Sequence, residues 1–143
     1  MLKMSERHLA GLNDLSIKLN KLGAELAAKT LRQATMNAAT PIVREARLRI
    51  PIGDVEHRTY KGNLVAPGFA QRNIRKASKI IDGRAVVSIG VRREAFYATQ
   101  FVELGTQNMD ASPWLVPAFE NQRDEVERRL ADQLRAKIAK LTR

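Results

Sequence analysis

Residues 96–119 read FYATQFVELGTQNMDASPWLVPAF and hold five of the seven aromatic residues of the chain. β-branched and aromatic residues crowd Thr99–Glu103, which predicts a strand there, ending at Glu103-Leu104-Gly105-Thr106. Gly105 suits a backbone angle that other residues resist. After a polar turn, Pro113 and Pro117 bracket Trp114, Leu115 and Val116, and Pro117 suits the first turn of a helix. Large rings bury much apolar area in a small domain, so Trp114 and Phe119 are expected to lock strand to helix. No His, Cys or paired carboxylate accompanies them. The stretch therefore reads as architectural.

Downstream, Val116, Phe119, Val126, Leu130, Leu134, Ile138 and Leu141 form the apolar stripe of one long helix. Glu120, Asp124, Glu125 and Glu127 crowd its start, and Arg135, Lys137, Lys140 and Arg143 its end, which complements the helix dipole. Upstream, Asn73–Ile81 and Arg84–Val91 flank Asp82-Gly83, a dipeptide of tight hairpin turns. In the second strand Val87, Ile89 and Val91 share one face. Residues 51–70 are rich in Gly and Pro and predict a long, mobile loop.

At the beginning of the chain, Leu12, Leu15, Leu19, Leu22 and Leu26 recur at helical spacing, and Gly23 separates a short first helix from a second. Leu31, Ala34, Ala38, Ile42, Ala46 and Ile50 continue the period. Pro41 predicts a kink or a restart, and Ile50-Pro51 a stop. The small residues allow a close neighbour. The expected architecture is α+β, a single domain over 1–143. Long N-terminal and C-terminal helices would pack on a small antiparallel sheet of about three strands.

The chain has 143 residues, 44% of them hydrophobic but only 5% aromatic, so its core must be mainly aliphatic. It has no cysteine, which removes disulfides and Cys-ligated metals. No apolar run approaches the ~20 residues of a membrane span, and the N-terminal MLKMSERHLAGL lacks a signal-peptide core. A soluble product made in the cytoplasm is expected. The net charge of +10 lies entirely in the first hundred residues, since 101–143 carry seven Lys+Arg against seven Asp+Glu. Such an excess favours polyanionic company, either nucleic acid or acidic protein surface.

His8 and His57 lack a second ligand at metal spacing, and no phosphate-cradling glycine loop precedes a helix. No cofactor is expected. Glu103 stands among Phe101, Val102 and Leu104, where a carboxylate needs a partner. An arginine such as Arg44, Arg47 or Arg49 is the expected one, and an acid-catalyst role has no second carboxylate nearby to support it. An enzyme would need a pocket gathering Glu103 with His57 or Asp54. Arg72, Arg75, Lys76, Lys79, Arg84, Arg92 and Arg93 form a basic run along the hairpin without interleaved aromatics. It suits sequence-blind contact with DNA or an acidic partner, not base reading.

Taken in order, these features resemble the neck, or tail-completion, proteins at the head–tail junction of long-tailed bacteriophages. The resemblance covers nearly the whole chain. It rests on the two leading helices, on Lys61-Gly62-Asn63-Leu64 as a worn Thr-Gly-x-Leu turn, and on the hairpin. Tyr97 through Phe101-Val102-Glu103-Leu104-Gly105-Thr106 follows. Last comes Ala111-Ser112-Pro113-Trp114-Leu115-Val116-Pro117-Ala118-Phe119, with Trp114 where the family usually has Phe. The resemblance implies a non-enzymatic virion component. Its copies would form a ring, a hexamer by the family's pattern, around the DNA channel between connector and tail proteins. Head-to-tail rings need two complementary faces. The basic first hundred residues and the acids Asp124 and Glu125 are the expected pair. A basic nucleic-acid-binding protein without sequence specificity is the alternative.

Overall fold

The computed structural model describes residues 6–142, with side chains from residue 11 onward. The side chain of His8 and residue Arg143 lie outside the described residues. The chain divides into two compact units. One comprises Met1–Pro41, Ala77–Ser88 and Arg123–Arg143; the other comprises Ile42–Lys76 and Ile89–Gln122.

In the first unit, α1 (Glu6–Asn20) and α2 (Ala24–Ala38) are separated at Gly23, whose φ of 88° breaks the helix. The heart of this unit is helix against helix. Leu15 and Leu19 of α1, Ala34 of α2, and Leu134 and Ile138 of the long α6 (Leu115–Leu141) form one buried cluster. Leu12, Leu22, Leu31 and Leu130 flank it. A fully buried Leu or Ile is worth about 1.5–3 kcal/mol, so this cluster is a principal source of stability. The ends of the α6 stripe stay out of it: Val116, Phe119 and Leu141 are exposed. Lys137 donates to Gln33 at 2.9 Å, joining α6 to α2, and Arg32 donates to the Ser78 carbonyl at 3.1 Å.

The second unit opens with α3 (Thr40–Arg49), a new helix after Ala39 with Pro41 in its first turn. It stops before Pro51 and buries Ile42, Val43 and Ala46. The loop expected over 51–70 contains two short strands, β1 (His57–Arg58) and β2 (Leu64–Val65), paired antiparallel, then α4 (Phe69–Arg72). Gly62, at φ 84°, turns the chain between the strands. Asn63 and Thr59 both donate to Glu94, which fastens this turn to α5 (Arg93–Leu104).

The hairpin strands are β3 (Ile74–Ile81) and β4 (Arg84–Val91). Asp82 and Gly83 both have positive φ, 50° and 74°, as a two-residue hairpin turn requires. Along β4 exposure alternates, with Val87 and Ile89 covered and Val86 and Ser88 open.

The expected third strand is absent. Thr99–Glu103 belongs to α5, and the two antiparallel sheets have two strands each. Residue propensity favoured a strand here, but the covered positions Ala95, Thr99 and Val102 recur at helical spacing. The Thr99 hydroxyl donates to the carbonyls of Ala95 and Phe96, a bond that lets a β-branched residue sit within a helix. The architecture is thus α+β in the broad sense, with more helix and less sheet than expected. Gly105, at φ 75°, ends a helix instead of a strand. A Cβ there would lie 2.9 Å from the Ala111 amide nitrogen and 3.1 Å from the Met109 carbonyl oxygen. Gly105→Ala should therefore cost about 2 kcal/mol in a urea melt. An unchanged midpoint would show that this turn relaxes freely.

Candidate functional site

α5, the turn 105–112 and the start of α6 form a corner in the second unit. The turn is closed by Thr106 and Met109, whose backbones pair, and by the Ser112 amide donating to the Val102 carbonyl at 2.8 Å. The Thr106 hydroxyl accepts from the Asn108 amide at 3.2 Å. This returns the chain so that Pro113 and Trp114 meet the helix they have just left.

Glu103 decides the geometry. One carboxylate oxygen accepts the amides of Trp114 at 2.6 Å and Leu115 at 3.0 Å; the other accepts that of Val116 at 3.0 Å. Those three groups are donors that a helix start leaves without an intrahelical partner. The next residue, Pro117, has no N–H to satisfy. A single side chain from α5 thus meets the whole donor set of the first turn of α6. Burial pushes the Glu103 pKa up, but the amides of Leu115, Trp114 and Val116 outweigh it and hold the carboxyl below its ordinary value of 4.5. The anticipated arginine partner is corrected to a helix N-terminus, whose dipole also favours the negative charge. None of Arg44, Arg47 and Arg49 bonds to Glu103: Arg49 pairs with Glu45 in its own helix.

Trp114 is 3% exposed, and its indole N–H points at the Thr99 carbonyl at 3.4 Å. It is the one ring of the opening stretch that is buried. Phe96, Tyr97, Phe101 and Phe119 are all exposed, Phe101 by 50%. On α5, Tyr97, Phe101 and Leu104 stand at spacings of four and three, one exposed apolar stripe with Phe96 beside it. The expected packing of Phe119 is corrected accordingly, and in the helical register of α5 the covered residues include Ala95, Thr99 and Val102.

The second unit also holds a cleft of about 320 Å³, walled by Ile50, Tyr60, Phe69, Tyr97 and Val102. His57 lines it; Glu103 and Asp54 do not. Glu94, also at the cleft, is held below its ordinary pKa by hydrogen bonds from Thr59 and Asn63, with Lys61 nearby. Among the described residues no group of His, Cys, Asp and Glu is arranged to hold a metal ion.

The residues of the basic run are not all presented alike. Strand alternation turns Arg75 and Lys79 outward and Lys76 to the covered side, where burial lowers its pKa. Arg72 is committed to the carbonyls of Pro67 and Ala66. Arg92 and Arg93 are exposed at the start of α5. The acids of α6 divide in a similar way. Glu125 pairs with Arg128 and Arg129 of its own helix, which hold its pKa down to about 2. Its charge is therefore already engaged, while Asp124 is exposed. Reading from sequence missed Glu45, which accepts from Asn121 at 3.3 Å and ties α3 to α6. It placed Glu127 at the start of α6 but missed its burial, 5% exposed beside Arg123. The i,i+4 spacing of Arg123 and Glu127 was the available signal.

In class this is a small α+β protein whose polar groups at the corner serve the fold. No protein-family model matches the chain, and neither the curated proteins nor the solved structures give a match. Among the described residues no helix is long and apolar enough to cross a membrane.

Proposed function

We propose that this chain is a structural virion protein of the phage head–tail junction, a neck or tail-completion protein. Its copies form a ring around the DNA channel and join connector to tail, without catalysing a reaction. One observation carries the reading. The two segments that resemble the family, Glu103-Leu104-Gly105-Thr106 and Pro113 through Phe119, meet physically, because the acid of the first caps the helix begun by the second. A motif pair that satisfies itself serves rigidity, and both oxygens of Glu103 are taken up by the cap. The exposed stripe of Tyr97, Phe101 and Leu104 then supplies apolar area of the kind that subunit contacts bury.

The test is the mass of the purified protein, alone and with connector and tail components. A ring, or co-assembly with those components, is the expected result; a monomer that joins neither would overturn the reading. Tyr97→Glu with Phe101→Glu should abolish the assembly while leaving the circular dichroism spectrum unchanged, since both side chains are exposed. Rings that form normally in this variant would remove α5 from the interface. Tight duplex binding by a monomer at physiological salt would favour the nucleic-acid-binding alternative.

A further inference from the structure

We infer that a groove between α2 and α6 in the first unit binds the phosphate backbone of duplex DNA through Lys29, Arg32, Lys137 and Lys140. Two adjoining cavities, about 310 and 270 Å³, share Lys29 and Gln33. Arg32 lines one of them; Lys137 and Lys140 line the other. Neither cavity has an acidic residue in its wall. Glu25 reaches only a third hollow that also touches Lys29.

The charge in this groove is not neutralised from within. Four of the unit's eight acids are engaged elsewhere: Asp14 with Lys18, Glu125 with Arg128 and Arg129, Glu127 with Arg123, and Asp132 with Arg128 and Arg135. Among the described residues no carboxylate forms an ion pair with Lys29, Arg32, Lys137 or Lys140. The segments of this unit carry fifteen Lys+Arg against eight Asp+Glu, a surplus of seven out of the chain's +10. Lys137 and Arg32 keep their places through neutral acceptors, Gln33 and the Ser78 carbonyl, so their positive charge is held in position and left unspent.

Helix-end lysines also complement the dipole, which accounts for Lys137 and Lys140 but not for Lys29 and Arg32 on the other wall. The ligand follows from what the groove lacks. Single strands are gripped by stacking on aromatic rings, and neither cavity has one in its wall. A duplex, by contrast, presents phosphates outward and needs only cations to meet them. The proposed junction role bears on this inference only in making duplex DNA the polyanion at hand.

Fluorescence anisotropy on a mixed-sequence duplex, between about 50 and about 200 mM salt, tests it. Four phosphate contacts predict a slope of log K on log salt of about −3.6. Lys29→Gln with Lys140→Gln should weaken binding roughly tenfold and reduce that slope by about 2. Arg75→Gln with Lys79→Gln on the hairpin should change neither by much. The inference fails if the wild-type chain does not bind, if the groove variant binds unchanged, or if only the hairpin variant loses affinity. Tighter binding to poly-glutamate than to DNA would also overturn it, by making an acidic protein the partner. Ring mass is read in parallel. Normal rings with no groove effect sink this inference alone; groove-dependent binding by a chain that forms neither rings nor co-assemblies with connector and tail components sinks the junction role alone.

Discussion

Trp114→Ala should destabilise the protein by about 3–5 kcal/mol, the range for truncating a large buried ring. The residue is almost fully enclosed and bridges α6 to α5 through its bond to the Thr99 carbonyl. Truncation therefore empties the corner and removes the indole hydrogen bond at once. Trp114→Phe separates the two contributions. It keeps most of the ring and loses the indole donor, so it should cost only about 1 kcal/mol. Urea denaturation of both variants checks the pair. Near-equal losses would mean that the hydrogen bond, not the ring volume, holds the corner. A small loss in both would mean that the corner is not part of the cooperative core.

Glu103→Ala should cost about 2–3 kcal/mol, since it removes a charged acceptor from three amides together. Glu103→Gln keeps one acceptor oxygen and should cost about half as much. The pH dependence is distinctive. The folded-state carboxyl is held below its ordinary value of 4.5. Folding therefore favours the ionised form, and the contribution is fully present above the unfolded pKa. It is lost as pH falls below about 4.3 and through the folded value. Urea midpoints at neutral pH and near pH 3 should show the gap between wild type and Glu103→Gln shrinking in acid. A gap independent of pH would mean that the carboxylate charge adds nothing to the cap.

Local features were legible in the amino-acid order because local rules produce them. The Asp82-Gly83 hairpin follows from the positive φ that its turn demands, the break at Gly23 from missing side-chain restraint, and the end of α3 from the constraint that Pro51 puts on Ile50. The leucine stripe of α1 and the middle of the α6 stripe face the cluster that their spacing foretells. The stretch 99–103 was misread because strand propensity and helical burial conflict there. Its one ring, Phe101, points out while Thr99 and Val102 turn in, which inverts the usual reading of hydrophobicity. In the same way the pairing of His57–Arg58 with Leu64–Val65 depends on Glu94, thirty-one residues beyond Asn63, to hold its turn.

The candidate site shows the same division. That Glu103 needed a partner could be read from its apolar neighbours, and that Pro117 opened a helix could be read from its missing N–H. That each answers the other could not, because the link spans a turn whose path Gly105 sets through one positive φ. Lys29 and Lys140 likewise look like ordinary surface lysines in sequence; they become one groove only when α2 and α6 pack. The chain by itself determined the break between α1 and α2, the stop of α3 and the turn of the hairpin, since these depend on forces acting within a few residues. Which charges are spent and which remain free was decided only in the tertiary structure, because a charge is neutralised by whatever lies within a few ångströms in space.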